Sequence, residues 1–303
     1  MTYHLTAEEA GVRLDVFVSS SLENMTRSAA QRLIDDGLVL LNGAPLKKNA
    51  KTVLGAVYEV TVPDAEEVAI VPQNIPLDVV YEDNDVIVVN KPKGMVVHPA
   101  PGHPDGTLVN ALLYHCGDSL SGINGEIRPG IVHRIDMETS GLIIAAKNDY
   151  AHQFLSAQLK DHSLSRIYEA VVIGSVREGG TVNAPIGRHP VDRKRMAVTE
   201  KNSREAITHY EPIAHYNGHT HIRCILETGR THQIRVHMAY IGHPILGDIV
   251  YGRKKPEKGL DGQCLHARYL TFVHPRTKEK MTLETPLPDY FTAVLKRLGA
   301  ETE

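Results

Sequence analysis

Two short runs in this chain contain no polar residue, and each adjoins a dense polar block. Residues 86–89 read Val-Ile-Val-Val and residues 142–146 read Leu-Ile-Ile-Ala-Ala. Runs this short, rich in branched side chains, are expected to be fully buried strands. They place a sheet at the centre of the fold. The block after the first run is Lys91 to Pro99, a stiff Pro/Gly turn. The block before the second is His133-Arg134-Ile135-Asp136-Met137-Glu138-Thr139-Ser140-Gly141. Loops at the ends of buried strands are common seats of binding and catalytic groups. On spacing alone the second block also fits a polar turn whose Asp and Thr cap backbone groups.

Around these runs the pattern is mixed. Helices are expected over 12–20, from Thr26-Arg27-Ser28 to Gly37, over 106–115, from Asn148 with Ala151, Phe154, Leu155 and Leu159 inward, from a Thr231 cap to Gly242, and over 290–298. Strands are expected over 38–41, 58–62, 167–173, 207–213, 219–227, 269–273 and 280–284, with Asn42-Gly43 marking a hairpin. There is no strict βαβ rhythm, so an α+β fold with a mixed or antiparallel sheet is expected. The length of 303 residues suggests two domains. Residues 66–76, with prolines and no period, read as a linker. The expected division is 1–65, linker 66–78, and 79–303.

The composition is that of a globular protein, 42% hydrophobic and 23% charged. No stretch approaches the ~18 apolar residues of a spanning helix, and the opening residues, with Glu8 and Glu9, do not resemble a signal peptide. Cys116, Cys224 and Cys264 are odd in number and far apart, which fits a reducing cytoplasm rather than a disulfide framework. His219 and His221, and His232 and His237, have no carboxylate or cysteine at ligand spacing, so no metal is expected. A net charge of −3 argues against a protein that coats nucleic acid indiscriminately. Locally, Arg188, Arg193, Lys194, Arg195, Lys201 and Arg204 face only Asp192 and Glu200 in a run that reads as a loop.

The polar block has an arginine but no kinase pattern. Ile135 separates Arg134 from Asp136, and neither a glycine-rich phosphate loop nor Asp-Phe-Gly is present. A second polar block, Glu227 to Arg235, lies at a strand-to-helix junction. Arg230, expected at the helix N-terminus, opposes the helix dipole and therefore calls for an anion, either a phosphate or a carboxylate such as Asp136.

Together the blocks at 91–99, 133–142, 229–235, 243–248 and 251–252 resemble the RluA/RluD family of pseudouridine synthases, from about residue 80 to the C-terminus. The first unit resembles an S4 RNA-binding domain through Arg13-Leu14-Asp15, Arg27-Ser28, Gln31-Arg32-Leu33-Ile34 and residues 37–43. It departs from that pattern at Thr26 and at Gly55-Ala56. Between 12 and 62 it is nearly neutral, with six basic and five acidic residues.

The resemblance implies an isomerase that cuts uracil from its ribose in RNA, turns it over and rejoins it through carbon, with no cofactor. It implies Asp136 as the essential carboxylate, Arg230 as the cation beside it, and Tyr168 as the aromatic partner of the base. The chain has no Trp and four Phe, so such a platform falls mostly to tyrosines. Candidate RNA contacts are Arg134, His133, Arg27, Arg32, Arg188, Arg193, Lys194 and Arg195. Large-subunit ribosomal RNA is the expected target and transfer RNA the alternative, with the protein acting as a cytoplasmic monomer away from membranes. A non-catalytic assembly factor and a glycoside hydrolase using Asp136 are the rival readings.

Overall fold

A computed structural model describes residues 1–22, 25–47, 49–62, 70–100, 102–123, 129–192 and 195–299. The chain forms two compact units, Met1–Val68 and Ala69–Glu303.

The first unit contains β1 (Thr2–Thr6), α1 (Leu14–Ser21), α2 (Arg27–Asp35), β2 (Val39–Leu41), β3 (Ala44–Pro45) and β4 (Val57–Thr61). Its sheet has the order β1-β4-β2-β3. The Thr26 hydroxyl caps α2 by accepting from Ala29 N–H. Asn42 and Gly43 both have positive φ, 50° and 75°, as a tight hairpin between β2 and β3 requires. Leu14, Val18, Ala30, Ile34, Val39, Tyr58 and Val60 form the buried core. β1 was not anticipated: its side chains are mostly exposed and its alternation is weak, so only pairing with β4 reveals it as a strand.

The second unit contains β5 (Val79–Glu82), β6 (Val86–Lys91), α3 (Leu108–Cys116), β7 (Ser140–Ala146), α4 (Asp149–Lys160), β8 (Ser165–Ile173), β9 (Gly180–Asn183), β10 (Ile186–Arg188), β11 (Met196–Val198) and β12 (Ser203–Arg204). It continues with β13 (Ile207–Tyr216), β14 (His219–Leu226), α5 (Gln233–Tyr240), β15 (Leu265–Val273), β16 (Lys280–Glu284) and α6 (Asp289–Gly299). The main sheet runs β5-β6-β7-β15-β8-β14-β13-β9, and β16 also pairs with β15. The β7–β15 pair is parallel and the other pairs are antiparallel, so the sheet is mixed and the fold is α+β, as expected from the pattern.

The apolar runs behave as their composition requires. Val86, Val88, Leu142 and Ile144 face Ala151 and Leu155 of α4. Ile87, Val89, Ile143 and Ala145 face Leu108 and Leu112 of α3 and Ile234 and Met238 of α5. Both faces of β6 and β7 are therefore covered, which removes any polar alternation. Each fully buried Leu or Ile here contributes about 1.5–3 kcal/mol.

Three local expectations change. Part of the proposed linker lies outside the described residues, but 70–75 is docked on the second unit, with Gln73 N–H on Asn110 O and Asn110 Nδ2 on Val71 O. The basic run from 188 to 204 is not simply a loop. β10, β11 and β12 form a separate three-stranded sheet there. Finally, α5 begins at Gln233, with His232 at the cap position and no side-chain cap from Thr231. No helix among the described residues is long and apolar enough to cross a membrane.

Candidate active site

The segment before β7 is anchored on every side. Ile135 is buried in the main core. Thr139 N–H donates to Asp136 O at 3.1 Å, and Gly94 N–H donates to Met137 O at 2.9 Å. The buried Lys91 ammonium bridges Pro92 O, Met95 O and Met137 O at 2.8, 2.8 and 3.1 Å. Gln263 Nε2 donates to Thr139 Oγ1. At the segment's exit, Gly141 has φ +113°, and a Cβ there would collide with the backbone of Ala267 on β15. Only glycine lets β7 approach β15 this closely. The segment that carries Asp136 is thus held by the turn at 91–95 and by residues 263–267.

The Asp136 side chain is about 20% exposed and points into a pocket lined by Arg134, Thr139, Arg166, Tyr168, Arg230 and Arg235, among others. Its cation is Arg235, whose Nη1 donates to Asp136 Oδ2 at 2.9 Å. The other edge of the same guanidinium makes a two-point bond to Asp248, Nε to Oδ2 at 2.7 Å and Nη2 to Oδ1 at 3.1 Å. Asp248 is fully buried and also accepts from Val250 and Tyr251 N–H. The Arg235 guanidinium carbon lies 5.1 Å from the Tyr251 ring centroid. Burial acts to lower the pKa of Arg235, but Asp248 and Asp136 outweigh it and raise it. This guanidinium is therefore charged, and its two carboxylates hold it in one orientation.

Arg230 was expected in this role. It lines the same pocket, but its Nε donates to Glu205 O at 2.8 Å, and the bond to Asp136 belongs to Arg235. The reason is the start of α5. Gln233 accepts Arg230 N–H on its Oε1, so the chain turns for one more step before the helix begins. The residue that opposes the helix dipole is consequently Arg235, in the first turn, and it has the two anions that such a placement needs.

His232 occupies the turn with φ 58°, a conformation that costs on the order of 1 kcal/mol outside glycine. Its Nδ1 bonds the Tyr251 hydroxyl at 2.8 Å, and its Nε2 lies 3.9 Å from Asp136 Oδ1. Burial pushes its pKa down, and the pull of Asp136 does not restore it.

Tyr168 projects from β8 and is 5% exposed, with its ring in the main core cluster and its edge on the pocket. Burial raises its phenol pKa, Arg166 opposes that shift, and Asp136 adds to it. Arg166, two residues earlier on the same strand, also lines the pocket and is 8% exposed.

The remaining candidates scatter. Arg134 is exposed at the pocket mouth, with Nη1 3.2 Å from His98 Nε2. His133 was expected to contact RNA. It is buried, its Nε2 accepts Ile144 N–H at 3.2 Å, and burial reinforced by Arg166 pushes its pKa down to about 3. It holds the segment against β7. Arg195 lies over Tyr251 at 5.4 Å and borders a groove beside the pocket. Arg188 is exposed on β10. Arg193 and Lys194 lie outside the described residues. In the first unit Arg32 is exposed on α2. Arg27, together with Arg13 and Gln31, converges on the buried Asp15, which leaves both arginine side chains about half exposed.

Arg235, Asp248 and Tyr251 were missed as site residues, although all three stand in blocks that carried the family resemblance. One trio of possible metal ligands occurs among the described residues, Asp83, Asp85 and His274. Arg276 already binds both oxygens of Asp85, which takes up its charge.

Residues 85–240 match the RNA pseudouridylate synthase family, and residues 12–56 match the S4 domain. The chain is 49% identical over 294 residues to the uncharacterized RNA pseudouridine synthase YlyB of Bacillus subtilis, covering 96% of this chain and 95% of that one. It is 44% identical over 304 residues to the ribosomal large subunit pseudouridine synthase D of Zymomonas mobilis, covering 97% and 96%. The solved structure of human RNA pseudouridylate synthase domain containing 1 shares the fold, with a TM-score of 0.56 at 24% identity over 80% of this chain and all of that one. The chain belongs to the RNA pseudouridine synthases, isomerases that act on RNA, and carries an S4 domain at its N-terminus.

Proposed function

We propose that this enzyme isomerises uridines in large-subunit ribosomal RNA, with Asp136 as the attacking carboxylate. The observation that carries this reading is the chain Asp136–Arg235–Asp248, which pairs one partly exposed carboxylate with a fixed guanidinium in the pocket that Tyr168 also lines. Breaking a glycosidic bond develops positive charge on the sugar. An ionised carboxylate stabilises or traps that charge, as in retaining glycosidases. The pocket suits both addition of Asp136 to C1′ and a glycal-forming elimination.

The target uridine must leave its stack to reach Asp136. Tyr168 is suited to lie against the extruded base. Arg134, at the mouth, is placed to fill the vacated space or hold a phosphate. Four arginines and one carboxylate line the pocket, a balance that favours a polyanion. Arg188 and Arg195 extend the basic surface of this unit, and Arg27 and Arg32 supply one on the S4 unit. The ribosomal target is supported by relatives that are named ribosomal large subunit pseudouridine synthase D, in Zymomonas mobilis and Pseudomonas aeruginosa. We place the enzyme in the cytoplasm as a monomer, away from membranes. The test is to map pseudouridines in RNA from cells with and without the protein. Positions lost from large-subunit ribosomal RNA are expected. Losses confined to transfer RNA would overturn the ribosomal assignment.

A further inference from the structure

Among the described residues, Arg166 is a buried cation with no counter-charge in contact. It is 8% exposed, no ion pair or side-chain hydrogen bond engages its guanidinium among the described residues, and its Nε is a buried donor with no acceptor. Burial lowers its pKa, Tyr168 opposes that shift and the nearby Arg230 adds to it, yet a guanidinium does not give up its proton in a protein. A buried, unpaired charge is costly, so a group kept in that state calls for an acceptor that arrives with the substrate.

The surroundings point to the pocket. Arg166 lines it together with Asp136, Tyr168 and Arg230. A Cβ on Gly229 would collide with Arg166 Nη1, so the loop backbone leaves space that the guanidinium fills. Arg166 and Tyr168 are two apart on β8 and share one face of the sheet, about 6.8 Å apart along the strand. A base laid against Tyr168 therefore presents its rim, with the carbonyl oxygens, towards Arg166.

We infer that Arg166 is a further catalytic residue, donating to a carbonyl oxygen of the target uracil and stabilising the negative charge this base acquires when its glycosidic bond breaks. The inference rests on the placement of the base between Asp136 and Tyr168 proposed above. When C1′–N1 breaks, the bonding pair stays with uracil and spreads from N1 onto its carbonyl oxygens, while either C1′ is trapped by Asp136 or the C2′ proton passes to Asp136 to give the glycal. After the base turns, C5 gives a pair to C1′ as the Asp136–C1′ bond breaks or, on the glycal route, as Asp136 returns the proton to C2′; the C5 proton then leaves to solvent, and N1 is protonated. The Arg166 donors serve the anionic stage common to both routes and take no part in a covalent step. A backbone phosphate fits this position less well. Arg134 is exposed, where a backbone phosphate has access, whereas Arg166 is buried and better matched to a base turned out of its stack.

The test compares wild type with Arg166→Met, Arg166→Gln and Arg166→Lys, using uridine-C5-tritiated RNA on which the wild type is active. Single-turnover release gives the rate, and binding of the same RNA across a salt series gives Kd. The uncharged variants are expected to lose about 10²–10³-fold in rate, with Kd within about threefold and an unchanged salt slope. Arg166→Lys should fall between. Their melting temperatures should be no lower than wild type, because the change removes an uncompensated buried charge. A rate within about fivefold of wild type in any folded uncharged variant overturns the proposal. So does a loss that resides in Kd with a shallower salt slope, which would make Arg166 a phosphate ligand, and so does failure of every uncharged variant to fold. Asp136→Asn runs in parallel. Activity in that variant would sink the site reading itself, whereas its silence beside an active Arg166→Met would sink only the role of Arg166.

Discussion

The cation that Asp136 requires sits at the third residue of α5, where the helix dipole opposes it. Two carboxylates offset that placement, and the double bond to Asp248 leaves Arg235 one free edge for Asp136. A lysine keeps the charge but not the planar fork, so Arg235→Lys should let Asp136 drift. We expect turnover to fall about 10²-fold, as misplacing a catalytic group by about 1 Å commonly does. Arg230→Met leaves the Asp136–Arg235 bond in place and should act mainly on RNA affinity. Steady-state kinetics separate the two. A larger kcat loss in Arg230→Met than in Arg235→Lys would return the partner role to Arg230. The sequence argument had the right physics, a cation at a helix start needing an anion, and the wrong arginine. Gln233 shifts the start of α5 by bonding Arg230 N–H, and no spacing rule reveals that the amide of Gln233, rather than the hydroxyl of Thr231, closes the turn.

At the scale of elements, strands buried on both faces were legible, as was the alternating edge strand β16, whereas β1 and the strands of the small sheet were not. Residues 86–89 and 142–146 declare themselves by lacking any polar residue. β1 and the sheet of β10, β11 and β12 carry charged and exposed side chains, and they become strands only through partners elsewhere in the chain. The polar segment before β7 was recognised as a site only by resemblance, because its anchors, Gly94, Lys91 and Gln263, are distant in sequence. Its exit depends on Gly141. Gly141→Ala forces a Cβ against the backbone of Ala267 at a φ of +113°, and should cost about 2–3 kcal/mol by overpacking and backbone strain. Gly122 has open space and an ordinary φ, so Gly122→Ala serves as the control. Thermal melts compare the two. Equal melting temperatures would mean that β7 and β15 tolerate separation.

Over the whole molecule, the mixed sheet brings together residues that the chain supplies from four places: Asp136 before β7, Arg166 and Tyr168 on β8, Arg235 on α5, and Asp248 after it. The fold class followed from the irregular alternation of strands and helices, whereas this convergence did not, because the pairing of β8 with both β14 and β15 is not written in local pattern. The central claim is that this convergence exists to present one oriented carboxylate to a uridine. Asp136→Asn tests it most directly. The Arg235–Asp248 pair survives that change, so the pocket keeps its shape and RNA binding should be retained. Release of tritium from RNA labelled at uridine C5 should be seen with wild type and be undetectable with Asp136→Asn bound to the same RNA. Release by Asp136→Asn within about tenfold of wild type would contradict the account.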